Sequence, residues 1–480
     1  MIVKNYIYNI LYQVFAMLVP VITAPYLARV LGASNQGIYS YVNSVTYIIS
    51  ILTLLGIYSY GNRQIAYERD NRSKMSQTFW EIMFLRLILT VVGTLIFFVF
   101  AILYKSYTVY FFIYYLYLLA QFIDCTWIFV GLEDMKVAVI KNAITKILST
   151  IGIFLFVKNS NDVGVYLLIL GLSVFVSNLL SFTQLRFYVD KPRIKVNNII
   201  VHLRGSLRLF LPMVATLLYL QFGKVMIEYF TRETSQLSYY DNAEKIVTVI
   251  LTLITALSTV MMPRIANEFS KGNDNKVQDY LIKSAKFSLF LAFPMTFGLI
   301  AIAKSLVPWY LGNDFLPVIY GIIIISPIII AYSLEGVSGR QYFTATNQTR
   351  ILTLAYTITA IVNLISNIIL IPIWGFLGAA VATLMSSFIT VVIQYIYMNR
   401  QVSMKTLIRS FRNYFFYSGI MFLIVFIISY RMSPTILTTI IQISIGAIVY
   451  LLLCIVTKDE IYIEMVRWSK KKIVRKSERK

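Results

Sequence analysis

The sequence predicts an all-α integral membrane protein with about fourteen transmembrane helices. Three observations lead there. Of 480 residues, 58% are hydrophobic and 13% charged, with a mean hydropathy of +0.73, too apolar for a chain that must cover itself with polar surface. Apolar runs of ~20 residues, each able to cross ~30 Å of hydrocarbon as a helix, recur almost from end to end. Lysines and arginines gather in alternate segments between these runs, which is the pattern of topology signals.

Lys4 ahead of the first run, 7 to 30, imitates a secretion signal. The run nevertheless continues for ~20 residues with no small-residue cleavage motif, which makes it a retained span. Runs at 38 to 60, 79 to 104, 107 to 130, 137 to 157 and 163 to 186 complete a first group. A second group follows at 207 to 230, 237 to 262, 283 to 303, 316 to 335, 351 to 373 and 376 to 399, and two more runs at 413 to 430 and 434 to 457. The chain accordingly divides into an N-terminal six-helix bundle over 1–200, a C-terminal one over 201–400, and two extra helices with a basic tail over 401–480. Sliding the chain by 200 residues sets Tyr39 on Tyr239, Ile65 on Ile265 and Ala66 on Ala266, a thin identity that chance among apolar sequences also produces. Read as a repeat, it makes the halves parallel copies, as in rocking transporters.

With the N-terminus in the cytoplasm, alternate loops and the run ends that adjoin them hold 32 of the 43 Lys and Arg, and only Lys105, Lys158, Arg232, Lys304 and Arg431 lie in the other loops. Both termini are then cytoplasmic, and the tail from Arg467 to Lys480 meets anionic membrane lipids. The formal net charge of +22 is thus an orientation signal and not a sign of nucleic-acid binding. Cys125 and Cys454 fall inside apolar runs, which excludes a disulfide framework and a zinc site. The one histidine, His202, falls in a basic loop. No phosphate-cradling glycine loop, metal-ligand cluster or nucleophile triad is present, so there is no catalytic residue and no metal to assign.

Polar side chains inside the runs cost ~2.5–3.5 kcal/mol each when charged, and normally face a protein interior or a water-filled cavity. Gln221, Lys224 and Glu228 in the seventh run, and Asp241, Lys245, Thr248, Thr252, Thr255 and Thr259 in the eighth, recur at helical spacing and so share a face. Asp241 and Lys245, four apart, are placed to pair. Further stripes are Asn9, Gln13 and Pro20 in the first run, Asn43, Thr46, Ser50 and Thr53 in the second, and Tyr356, Asn363 and Asn367 in the eleventh. Such stripes also serve as packing glue between helices. The accompanying charges favour a cavity, in which Arg29, Asn43, Lys146, Gln221, Lys224, Lys245 and Asn363 are the candidate substrate contacts. Cations there suit a diphosphate. Snorkelling explains charges near the ends of runs, such as Arg29, Lys141, Glu228 and Asp241, without function. Asp124, Glu228, Asp241, Glu244 and Glu335 are the candidates for gating or for a coupled proton or Na+, and no other cofactor is expected. Prolines at 20, 25, 212, 294 and 372 mark bends that suit alternating access.

Three segments carry a family likeness. These are YLARVLGASNQGIYSYVNS from Tyr26 to Ser44, the stretch Asp124 to Tyr166 with its Gly-Leu-Glu and Phe-Val-Lys pattern, and SYYDNAEKI from Ser238 to Ile246 followed by Met262 to Arg264. Asn363, Asn367, Pro372, Gly375 and Gly378 add to them. The chain resembles Wzx-type polysaccharide flippases of the multidrug/oligosaccharidyl-lipid/polysaccharide exporter superfamily. That resemblance implies two six-helix bundles in a V around a cationic cavity plus two C-terminal helices, in a bacterial cytoplasmic membrane. It also implies a substrate, an undecaprenyl-diphosphate-linked oligosaccharide, moved to the outer leaflet by alternating access for capsular or other surface polysaccharide. Polysaccharide polymerase and glycosyltransferases are the implied partners. One departure stands out: many relatives have Asp before the lysine of helix seven, where this chain has Gly223, which weakens a cation-coupling role at that position. A lipid II flippase and a cation-coupled multidrug exporter are the alternatives within the superfamily. A membrane polymerase, which needs acids or bases on substantial outer loops, is the alternative outside it.

Overall fold

The structure is a computed structural model that describes residues 2–192, 194–217, 221–399, 404–430 and 432–467; the side chains of 2–14, 135–138, 211–217, 253, 255–257, 259–260, 404–408 and 430 lie outside the described residues. Among the described residues every regular element is helical and none is a strand. The chain divides into two compact units, Met1–Ser238 and Tyr239–Lys480.

In the first unit α1 (Ile2–Leu54) carries the first expected span and most of the second, broken between them at Gly32, whose φ of 71° and ψ of 175° are open only to glycine. Around this break Tyr26 donates to the carbonyl of Val157 (2.7 Å) and Asn35 to that of Ser160 (2.8 Å). A Cβ on Gly37 would fall 1.8 Å from the carbonyl oxygen of Thr234, so only glycine admits that close approach. The Tyr26–Ser44 motif is therefore a junction whose polar and small residues fix neighbouring backbone.

A left-handed Leu55–Gly56 turn leads into α2 (Ile57–Glu68), and α3 (Arg72–Leu103) follows, capped by Asn71, whose side chain accepts from the Lys74 amide (3.1 Å). The expected fourth span is split into α4 (Thr108–Ile123) and α5 (Thr126–Gly131). α6 (Met135–Phe156), α7 (Val163–Gln184), α8 (Val196–Leu217) and α9 (Gly223–Thr231) complete the unit, and α10 (Thr234–Ser270) crosses its boundary. The core at the α2 end is aromatic: Trp127, fully buried, stacks on Phe79 with ring centroids 5.2 Å apart, among Ile57, Ile65, Ile128 and Phe129.

The second unit holds α11 (Asp274–Tyr310), α12 (Val318–Ile325), α13 (Ile328–Glu335), α14 (Thr349–Trp374), α15 (Phe376–Met398), α16 (Met404–Tyr430) and α17 (Ile436–Val456). A π-helical stretch, Gly336–Thr344, follows α13. Its core joins Ile265, Val277, Leu281, Val337, Phe343 and Tyr395.

Eleven helical stretches among the described residues are long and apolar enough to cross a membrane. Phe15–Leu54, at 40 residues, is ~60 Å long and holds most of the first two expected spans at once. The seventh and eighth expected spans run through residues whose side chains lie outside the described ones. Large apolar side chains on these stretches face outward, as Leu95 (62%), Leu155 (59%) and Ile369 (55%) do, the arrangement a lipid solvent favours.

Candidate functional site

Within the first unit, polar side chains collect around two carboxylates. Glu228, 2% exposed, accepts from the Tyr107 hydroxyl (2.8 Å), and its second oxygen is buried without a partner. Tyr107 packs with Tyr41 (5.5 Å between ring centroids), Tyr41 with Tyr104 (5.4 Å), and Arg232 donates to the Tyr104 hydroxyl (3.0 Å). This gives a carboxylate at the end of a tyrosine cluster, an arrangement able to take a proton or present a hydrogen-bond acceptor.

Asp124 occupies the break between α4 and α5. Its carboxylate accepts from the Thr126 amide (2.9 Å) and hydroxyl (2.5 Å), closing the first turn of α5. It also faces Arg86 at 3.8 Å, while Arg86, 2% exposed, donates to the Asp124 carbonyl (2.5 Å). Asp124 thus holds a helix start and a buried guanidinium. Lys141, which reads as a snorkelling end from the sequence, is instead buried and donates to the Ser177 carbonyl (3.2 Å) and to the Ser181 hydroxyl.

The other first-unit candidates are dispersed. Arg29 is exposed and donates to the Pro25 carbonyl (3.1 Å). Asn43 accepts from the Tyr114 hydroxyl (2.8 Å). Lys146 is half-buried on α6 and makes no ion pair among the described residues. Gln221 buries an oxygen without a partner, and Lys224 lies half-buried at the start of α9. In the second-span stripe, the hydroxyls of Thr46, Ser50 and Thr53 are buried and bond carbonyls of their own helix, which is how such groups sit quietly in apolar surroundings.

In the second unit Asp241, buried, pairs with the half-exposed Lys245 at 2.6 Å, the i, i+4 contact the spacing predicts, with Glu244 half-buried beside them. Glu335 ends α13, where the chain enters the π-helical stretch, and accepts from the Tyr356 hydroxyl. Next to it Ser338 donates to Gln394 (2.6 Å), whose amide nitrogen is buried without a partner, and Gln341 donates to Ser258 (3.2 Å). Single π turns widen a helix and recur at functional sites. Along α14, Asn367 donates to Asn363 (2.9 Å), and the Asn363 nitrogen remains unpaired in the interior. The stripe members Asn9, Gln13, Thr255 and Thr259, together with Pro212, lie outside the described side chains.

One cluster was invisible in the sequence, and one reading is corrected. His202 is not a loop residue: it lies on α8, 7% exposed, between the Tyr60 hydroxyl (3.0 Å) and Glu81 (3.0 Å). Glu81 also accepts from Gln77 (2.8 Å), Asn198 (3.0 Å) and the Lys195 amide (3.1 Å). The amphipathic pattern of 196–217 continues the helix through the basic residues, so the histidine turns inward. Nearby, Tyr188 donates to Asp134 (2.7 Å); burial, and then that carboxylate, push its phenol up to about 12, which keeps it a donor.

A family described as "Polysaccharide biosynthesis protein" matches residues 2–269, more than half of the chain. A "Putative O-antigen transporter" of Shigella dysenteriae is 23% identical over 380 residues, covering 78% of this chain and 94% of the relative. A "Probable low-salt glycan biosynthesis flippase Agl15" of Haloferax volcanii is 28% identical over 171 residues, 36% of each chain. A solved structure of the lipid II flippase MurJ in an inward closed conformation has the same fold, with a TM-score of 0.72 at 17% identity, covering 95% of this chain and 99% of that one.

Proposed function

The chain belongs to the polysaccharide biosynthesis protein family, and on that premise we propose that it is a flippase for a lipid-linked oligosaccharide. The observation that carries this reading is the similarity to an O-antigen transporter along 94% of that relative's length and 78% of this chain. The buried polar groups support transport rather than chemistry. They lie along helices from end to end of spans, as in the Asp241–Lys245 pair and the Asn363–Asn367 bond.

The substrate in this proposal is an undecaprenyl-diphosphate-linked repeat unit, moved from the inner to the outer leaflet by alternating access, with both termini cytoplasmic. The span count of fourteen, as two six-helix bundles and two further helices, belongs to the same proposal. Arg29, Lys146, Lys224 and Lys245 supply cationic contacts for the diphosphate, and Asn43, Gln221 and Asn363 polar ones for sugar. Glu228 and Glu335, each receiving a tyrosine hydroxyl, are the leading carriers of a coupled proton or Na+. Asp124, Asp241 and Glu244 act in gating. Polymerase and glycosyltransferases are the partners that consume and supply the substrate.

The test is the sidedness of lipid-linked oligosaccharide in a strain lacking the gene, compared with the complemented strain. Accumulation on the cytoplasmic leaflet with loss of surface polysaccharide is expected. Normal translocation with altered polymer length would replace the proposal with a polymerase, and altered drug sensitivity with an exporter.

A further inference from the structure

At the start of α3 a cavity of about 420 Å³ opens, lined by Arg72, Ser73, Gln77, Arg186, Asp190 and Lys191 among others. Three cations face one carboxylate. Asp190 is taken by Arg72 (3.0 Å), while Arg186 and Lys191 have no carboxylate partner among the described residues. The cavity is framed rather than floppy. Ser76 donates to the Arg72 carbonyl (2.6 Å) and accepts from the Asp190 amide (2.9 Å), and the Trp80 indole donates to the Asp190 carbonyl (2.9 Å). These bonds clamp the chain leaving α7 against the first two turns of α3. The Arg186 guanidinium lies over the Phe187 ring, 4.8 Å from its centroid, which holds one cation at the rim.

The position of the cavity matters as much as its charge. Its walls are the first residues of the candidate span Arg72–Leu103 and the last ones of Ser160–Phe187 with those that follow, so it lies at the polar ends of two candidate spans. Trp80, beside the cavity, is of the aromatic type favoured at a membrane–water interface. Phosphates of lipid headgroups line the polar zone at the ends of membrane spans. α3 points its N-terminus, the positive end of a 32-residue helix, into the same wall.

We propose that this cavity binds the phosphate of an anionic lipid headgroup, through Arg186 and Lys191 with Ser73 and Gln77 as neutral donors. Two lipids present that chemistry: a bilayer phospholipid such as phosphatidylglycerol, and a polyprenyl diphosphate. The site is separate from the polar groups assigned above to transport.

The test titrates the purified full chain in detergent with phosphatidylglycerol, undecaprenyl diphosphate and, as a neutral headgroup, phosphatidylcholine, reading bound lipid by native mass spectrometry. Arg186→Gln with Lys191→Gln, both at exposed positions, is expected to weaken one anionic lipid by roughly tenfold or more and to leave phosphatidylcholine unchanged. The lipid that loses affinity identifies the natural source. Ser73→Asp, which keeps both cations and adds a carboxylate to the wall, is expected to weaken the same lipid. Lys276→Gln with Lys283→Gln removes equal charge from α11 and is expected to change nothing. Unchanged affinity for both anionic lipids in the Arg186/Lys191 variant, or an equal loss in the α11 control, overturns the proposal.

Discussion

Arg86 and Asp124 are 38 residues apart in sequence and adjacent inside the first unit, with Arg86 almost wholly withdrawn from solvent. Burial strips both charges of hydration, and removing one leaves the other uncompensated. Asp124 also closes the first turn of α5. Asp124→Ala is therefore expected to cost ~3–5 kcal/mol, whereas Arg86→Met combined with Asp124→Leu costs far less. Unfolding in detergent followed by circular dichroism checks this, and equal losses in the two variants would show that the charge pair is not the cause. Lys224→Ala and Lys245→Ala test the transport reading at the same scale. Each is expected to lower oligosaccharide translocation by roughly tenfold, the worth of one charge-assisted hydrogen bond, with membrane insertion intact. Wild-type transport by both would remove these lysines from the substrate path. The Asp241–Lys245 pair was legible in the sequence because i, i+4 contact is a local rule. The bonds from His202 to Glu81 and Tyr60 were not, because they join residues 121 and 142 positions apart and no local pattern encodes them.

Elements announce their middles and hide their joints. Helical periodicity and apolar length revealed the spans, yet nothing in the pattern foretold that the tenth would pass into a π-helical stretch at Gly336, since that widening depends on how Glu335, Tyr356, Ser338 and Gln394 pack. Joints were readable only where a residue type is obligatory. At Gly32 the break in α1 uses a conformation closed to residues with a Cβ, while no atom lies within 4 Å of where that Cβ would stand. The room is there and the backbone angle is not. Gly32→Ala is accordingly expected to cost ~1–3 kcal/mol through conformation alone, read as a lower melting temperature, and an unchanged one would mean that the break relaxes freely. Left-handed turns at helix ends are hidden in the same way. Glu133 before α6 and Asn347 before α14 both take φ of 58°, and the next amide in each case bonds the carbonyl five residues back at 2.8 Å, Asp134 to Phe129 and Gln348 to Phe343. Turns of this kind close helices generally, as at Lys458, where the Asp459 amide bonds the Cys454 carbonyl (2.9 Å), and no residue type is obligatory in them.

At the scale of the molecule, the last two helices look from sequence like an appendage outside the repeat. In the second unit they are part of the packing. Phe411 and Phe415 of α16 set their ring edges against Phe293 and Phe297 of α11 at 4.7 and 5.5 Å. Tyr450 of α17 donates to the Phe290 carbonyl (2.7 Å), Gln442 to Ser305 (2.9 Å), and Lys286 of α11 pairs with Glu460 (2.6 Å). Between α11, α16 and α17 lies an apolar cavity of about 410 Å³, lined by Met295, Met421, Val425 and Ile443 among others. Aromatic edges and buried hydrogen bonds of this kind are each worth ~0.5–1.5 kcal/mol, and their loss would bare one whole side of α11. Ending the chain at residue 399 is therefore expected to lower the amount of folded protein in the membrane severalfold and to broaden its gel-filtration peak. A truncated chain that accumulates and elutes like the full one would show that α11 keeps its fold unaided, and would return α16 and α17 to the status of an attachment.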